Sequence, residues 1–516
     1  MKKFCIIWLI GIFAACGGVS ETYETDDTLL EAAEIAENEE IAENENFYTE
    51  ITPLTNLDTV LERAVNRRLG IVKPDYNAIA ALTAGRTPSN QPGTGFWSDE
   101  NIPRPDTISL EAAISDTHDL FDFIHGVYGG YVYFGGTAVF SAARDNVINQ
   151  LHGLDSQLIS TNALENILFN NLFEIIEDGH FTIGNGRMRA NLSYFWPSWS
   201  GNPMYELTQN GFVNIATGLI LTEIVGHDMD EVLRLAADED GNFFYMPVFW
   251  GNGITYFDFV YNDGTVESYR FWAESFTPRV QELPSLEIVD GFPVINTTIM
   301  GFDGNEYGWN KEHAIAFLEF AEEVRDYPII IVDMRNNVGG NGLLPARWLY
   351  ALTGEILVGS NIGLAAFQYT PRQFQPTNIF ENPEGLFEFF RHEESFEGYT
   401  LTNNVPRNII RSDQTIIMLT SRGTASAAEM FADLLFDVEN SLIIGEPTAG
   451  VLKFDLTFPN LELPQSRIPF GLGRHMAYFP DGLFEEGEGF LPDIWVAHDD
   501  ALDVALAIAR KIQELP

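Results

Sequence analysis

The period of apolar and polar positions changes several times along the chain, and each change marks a boundary. Residues 1–15 read as two lysines, an apolar run from Phe4 to Phe13 and two alanines, with Cys16 next. Residues 16–50 are acidic and show no apolar period. Within 51–106, Leu57, Val60, Leu61 and Val65 predict one amphipathic helix, followed by a loop rich in Gly, Pro, Asn and Ser where no chemistry is visible. From 107 to 189 the apolar spacing is helical, through Leu120, Phe121, Phe123 and Ile124, then 147–154 and 163–176, broken by Gly129-Gly130 and Gly135-Gly136. Residues 190–280 switch to β-type runs at 219–224, 256–261 and 267–272, the last two joined by Asn262-Asp263-Gly264. A strand, a glycine turn, a short helix and a closing hairpin suggest a PDZ-like module, although its usual carboxylate-binding loop is not recognisable. From 283 to 516 strands (293–300, Ile329–Asp333, 415–419, 442–444) alternate with helices (311–324, 425–436, 501–512). That alternation predicts an α/β core behind a helical subdomain and a β-rich module.

Composition narrows the function classes. The 516 residues carry 28 Lys+Arg against 75 Asp+Glu, a formal net charge of −47. Neutralising phosphates requires clustered basic residues, so nucleic-acid binding is excluded as an expectation. With 45% hydrophobic and 13% aromatic residues the chain has material for real cores. Twelve of the acids lie between Glu21 and Glu50, where Glu34-Ile35-Ala36-Glu37-Asn38-Glu39 repeats at once and no Lys or Arg occurs. Such a stretch predicts a solvated, extended tether. The charged start and short apolar run predict a signal peptide. Phe13-Ala14-Ala15-Cys16 resembles the bacterial lipobox, which implies lipidation of Cys16 and anchorage of an extracytoplasmic protein in the bacterial cell envelope. The only two cysteines lie in this leader, so cysteine catalysis and a Cys–metal site are not expected.

Four ordered segments of the α/β core carry candidate chemistry. In the first, the strand Ile329–Asp333 runs into Met334-Arg335-Asn336-Asn337-Val338-Gly339-Gly340, where paired glycines let backbone N–H groups approach a ligand. In the second, Thr424-Ala425-Ser426-Ala427-Ala428-Glu429, a strand ends and a helix begins near Ser426. Alone, this segment reads as an N-cap serine with Glu429 completing a capping box. The same geometry exposes a hydroxyl where helix-terminal amides stabilise negative charge. Gly445-Glu446-Pro447-Thr448-Ala449-Gly450 and Glu486-Gly487-Glu488-Gly489-Phe490-Leu491-Pro492-Asp493 follow in order.

Taken together, these segments resemble the tail-specific protease, or C-terminal processing peptidase, family, over roughly residues 107–515. The resemblance implies a serine peptidase with an α/β, ClpP/crotonase-like catalytic core, a helical N-terminal subdomain and often a PDZ domain. It implies Ser426 as nucleophile, polypeptides as substrates and no metal or organic cofactor. It also implies an oxyanion hole from the backbone N–H of Ala427 with that of Gly339 or Gly340. The Ser–Lys branch places its lysine where Val451 stands here, and the nearest lysine is Lys453. Glu177-Asp178-Gly179-His180 instead resembles the Asp-Gly-His segment of the tricorn-like and retinoid-binding-like branches. That likeness implies His180 as base with Glu486 as its acid, Glu488 being a substitute. The hydroxyl residue that the tricorn-type relay places before the histidine is Gly179 here. Neutral imidazole activates a serine hydroxyl near pH 7, and a carboxylate orients the ring. The remaining histidines lack motif context, and Asp333 with Arg335 reads as a scaffold pair. A catalytically inactive family member binding peptide or apolar ligands is the alternative from another class.

Overall fold

The computed structural model describes residues 56–82, 96, 102–184, 186–188, 194–196, 203–251, 254–273, 283–300, 311–366, 394–396, 399–402, 405–457 and 461–515. The leader, Cys16, the acidic tether and most of the glycine- and proline-rich loop before residue 106 lie outside the described residues.

The fold is organised by a ten-stranded sheet. Six of its strands are mutually parallel, in the order Phe292–Asn296, Ile329–Asp333, Thr415–Thr420, Ser441–Gly445, Ile494–Trp495 and Leu233–Ala237. Parallel strands covered on both faces read as continuous apolar runs, and Ile329-Ile330-Ile331-Val332-Asp333 is buried throughout. Side chains alternate between the faces, and the alternation sorts the core into two layers. Ile330, Val332, Ile416, Met418 and Ile443 pack with helices Lys311–Glu323, Leu343–Thr353 and Ala427–Leu435. Ile329, Ile331, Ile417, Leu419, Leu442 and Ile444 pack with helices Ala501–Gln513 and Leu57–Gly70.

The helix Leu57–Gly70 is therefore not an appendage. Its Val60 and Ala64 are buried against the sheet, and the fully buried Arg68 donates to Asp493 Oδ2 at 2.8 Å and Oδ1 at 3.1 Å. Arg67 adds a 3.2 Å bond to the same carboxylate, which in turn accepts the Ile443 N–H at 2.8 Å. The two guanidiniums hold the Asp493 carboxyl below its usual range against the opposing effect of burial.

The helical region builds its own hydrophobic cluster, shared with a segment from near the C-terminus. Helices Leu110–Val127, Gly136–Gly153 and Thr161–Phe173 bury Leu120, Phe121, Ile124, Val147, Leu151, Leu164 and Leu168 together with Leu461, Ile468, Phe470 and Leu472 from near the C-terminus. The strand Asp178–Ile183 leaves this layer and pairs with Pro469–Gly471.

The β-rich region departs from the PDZ-like expectation. Strands Tyr205–Thr208, Gly211–Asn214, Leu233–Ala237 and Phe243–Pro247 extend the ten-stranded sheet itself. The strands Tyr194–Trp196, Leu221–Ile224, Phe249–Trp250, Ile254–Tyr261 and Val266–Ala273 form a five-stranded antiparallel sheet. Among the described residues no separate PDZ module is formed; residues 52–516 make one compact unit. The short helix expected in this region is a single turn, Met229–Val232, after which Leu233–Ala237 joins the sheet. Among the described residues no helix is long and apolar enough to cross a membrane.

Candidate active site

The site gathers loops at the C-terminal ends of the parallel strands. Strand Thr415–Thr420 delivers the loop to Ser426, and helix Ala427–Leu435 starts directly after it. An ordinary N-cap has an extended backbone, whereas Ser426 sits at φ 53° and ψ −119°. L-residues rarely adopt positive φ, and such conformations persist only where the surroundings impose them. Here the surroundings are explicit. The Ala425 N–H donates to Asn337 O at 2.8 Å, Thr424 Oγ1 donates to Met334 O at 2.8 Å, and Asn336 N–H donates to Ser421 Oγ at 3.2 Å. The loop after Ile329–Asp333 thus grips the loop that carries the serine.

Gly339 is pressed against the nucleophile candidate. A Cβ at this position, where φ is 93°, would lie 2.7 Å from Ser426 Cβ and 3.0 Å from Ala427 N. Gly340, at φ 141°, would place a Cβ only 1.6 Å from Met300 O. The two glycines differ in what their N–H groups do. That of Gly339 is donated to Asn337 Oδ1 at 3.0 Å, so it is engaged within its own loop. Among the described residues the N–H groups of Gly340 and Ala427 enter no hydrogen bond. The latter is one of the donors that a helix start leaves without an intrahelical partner.

His180 arrives on the strand Asp178–Ile183, inside an irregularity in its pairing between Asp178 and Thr182. Bulges of this kind re-aim side chains and recur beside active sites. The fully buried Asp178 fixes the backbone there. Its Oδ1 accepts the N–H of His180 at 2.7 Å and of Phe181 at 3.2 Å, and its Oδ2 accepts the Tyr128 hydroxyl at 2.9 Å.

Glu486 sits between these parts. Its Oε1 accepts the Gly179 N–H at 3.0 Å and its Oε2 accepts the Lys453 N–H at 3.1 Å. Burial pushes its carboxyl well up, and the nearby charge of Asp178 adds to the rise. The Lys453 ammonium is itself committed, donating to Glu485 Oε2 at 2.6 Å with the Tyr133 ring centroid 5.3 Å away. Burial opposes its charge, but Glu485 and Tyr133 outweigh burial and keep the group protonated above the ordinary lysine value.

Glu429 does more than the capping reading assigned to it. Its Oε2 accepts the N–H of Ser426 at 2.9 Å and of Val451 at 2.8 Å, while its Oε1 accepts Thr448 Oγ1 at 2.6 Å and the Gly450 N–H at 2.7 Å. Burial raises its carboxyl, and these four donors partly offset the rise. Thr448 Oγ1 also accepts the Phe490 N–H at 2.8 Å, tying in the last segment. A bonded path therefore runs from Ser426 through Glu429 to Val451, and from Lys453 through Glu486 to Gly179 beside His180. The sequence offered no sign of the tie to 448–451 beyond an acid in the first turn of a mostly apolar helix. Asp333 and Arg335 form a bidentate pair, with Nε–Oδ1 at 2.9 Å and Nη2–Oδ2 at 2.6 Å. His498, without motif context in the sequence, has Nε2 2.9 Å from Asn336 Nδ2.

Residues 298–496 match the model of Peptidase family S41. Among solved structures, mature CPAF aligns at 14% identity over 78% of this chain and 96% of that chain, with a TM-score of 0.41. The photosystem II D1 C-terminal processing protease aligns at 12% identity over 75% and 93%, with a TM-score of 0.35. A lipoprotein from Streptococcus agalactiae aligns at 13% over 78% and 97%, with a TM-score of 0.36. No curated protein matches. The match makes residues 298–496 a domain of Peptidase family S41, and with it a serine-type peptidase.

Proposed function

We propose that the chain is a lipid-anchored, extracytoplasmic peptidase that cleaves polypeptides through an acyl-enzyme on Ser426, with His180 as general base. The observation that carries this reading is the hydrogen-bonded path from the Ser426 amide through Glu429, the 450–453 segment and Glu486 to Gly179, next to His180. Ser426 Oγ attacks the scissile carbonyl carbon while its proton passes to His180. The resulting oxyanion takes hydrogen bonds from the N–H groups of Ala427 and Gly340. The C–N bond then breaks, and His180 returns the proton to the leaving amine. Water repeats the sequence on the ester, releasing the acid and restoring Ser426. Glu486 acts through the main chain, holding Gly179 and so the placement of the ring. The Lys453–Glu485 pair supports histidine over lysine as the base, because a protonated amine cannot accept the serine proton.

Digestion of a peptide library tests the activity. Wild type should yield products, and Ser426→Ala none; no cleavage by wild type alongside binding of peptides or apolar ligands would favour the inactive alternative. Anchorage rests on Phe13-Ala14-Ala15-Cys16. In a bacterial host, wild type should incorporate radiolabelled palmitate and Cys16→Ser should not. Equal incorporation would overturn the anchor.

A further inference from the structure

Arg422 lies four positions before the serine, on the loop leaving strand Thr415–Thr420. Nη2 donates to Gly487 O at 2.7 Å, and Nη1 donates to Glu488 O at 2.8 Å and to Thr448 O. All three acceptors are main-chain carbonyls, two of them directly after Glu486. The Arg422 Cζ lies over the ring of Trp250, 5.8 Å from the centroid, on the strand Phe249–Trp250 of the five-stranded sheet. Arg422 is thus the point where the serine loop, the 445–450 loop, the 486–493 loop and the β-rich layer meet.

We propose that Arg422 is a positioning residue for the reaction, setting Glu486, and through it the Gly179–His180 segment, in register with Ser426. The inference rests on the assignment of Ser426 and His180 above. Glu429 and Arg422 divide the task. The buried Glu429 collects N–H groups from the serine loop and the 448–451 segment, whereas Arg422 collects carbonyls from the 448 and 487–488 segments. A planar fork with five donors can serve three carbonyls in fixed directions, and an ammonium on a flexible stem cannot. Removing the fork leaves the 486–488 turn held by fewer bonds, so Glu486 and His180 lose registry with the serine while Ser426 itself stays on its own loop. A misplacement of about 1 Å costs on the order of 100-fold in rate.

The test is the second-order rate of fluorophosphonate labelling, followed across pH in wild type, Arg422→Ala, Arg422→Lys and Trp250→Leu, with a thermal melt of each. Arg422→Ala should label about 100-fold more slowly, with the midpoint of the pH–rate profile displaced from the wild-type value. Millimolar guanidinium should recover part of the rate by refilling the vacated fork. Arg422→Lys should remain impaired, and Trp250→Leu should fall between wild type and Arg422→Ala. A wild-type rate in Arg422→Lys or Arg422→Ala would overturn the proposal. So would a loss with the wild-type pH midpoint and no response to guanidinium, which marks a purely structural role. If Arg422→Ala does not fold, Arg422→Lys and its pH midpoint decide. Wild-type protein that does not label at all would instead refute the underlying assignment of Ser426.

Discussion

At the scale of single residues, the site is built from groups whose conformations are costly except where they stand. Gly340 is the sharpest case, since any side chain at φ 141° would meet the Met300 carbonyl at 1.6 Å. Gly340→Ala should displace the N–H assigned to the oxyanion and lower kcat by about 100- to 1000-fold, read in steady-state kinetics beside a thermal melt that confirms folding. The buried carboxyls make a second, pH-dependent prediction. Glu486 has a folded-state pKa raised above its unfolded value by burial and by Asp178. Between the ordinary carboxyl value and that raised value the folded chain holds a proton the unfolded chain has released, so this group erodes stability as pH rises. Glu486→Gln removes that slope. Urea unfolding at pH 5 and pH 8 should show the variant gaining on wild type at the higher pH, whatever its constant offset from the altered acceptor. Asp493 has the opposite sign, its lowered pKa giving stability that is lost only as pH falls through that value.

At the scale of elements, strongly patterned segments were legible and their assembly was not. The strand Ile329–Asp333 and the helix from Ala501 follow from runs that fit one period, and both form where expected. The order of the four segments made Ser426, Gly339, Gly340, Ala427 and Glu486 candidates before any contact was visible. Two things escaped the sequence for a physical reason: long-range pairing has no local signature. Strands of the region expected to be PDZ-like extend the central sheet instead, because exposed sheet edges pair with whatever strand the topology brings. The helix Leu57–Gly70 looked like an extension without chemistry, yet its Arg68 is the buried partner of Asp493. Arg68→Met strands that carboxylate without its main counter-charge and should cost about 3–5 kcal/mol in urea unfolding. An unchanged midpoint would show that Arg67 alone suffices. Likewise, the split between Gly339 and Gly340 depended on one side chain, Asn337 Oδ1, taking the first glycine's N–H.

At the scale of the whole molecule, the net charge of −47 makes a prediction about substrate encounter. An acidic surface attracts cationic chains over distances that salt shortens to about 10 Å at 0.1 M. Cleavage of a basic, unstructured polypeptide should therefore show kcat/KM falling as ionic strength rises, while a neutral peptide with the same scissile sequence should be nearly indifferent. Equal salt dependence of the two would detach the charge from substrate capture. The central claim concerns three groups, and one measurement addresses them together: intact-mass detection of the fluorophosphonate adduct on wild type, Ser426→Ala, His180→Ala and Lys453→Ala. The account predicts a single adduct on wild type and on Lys453→Ala, and none on Ser426→Ala or His180→Ala. Loss of the adduct in Lys453→Ala with retention in His180→Ala would contradict it and move the base from the imidazole to the amine.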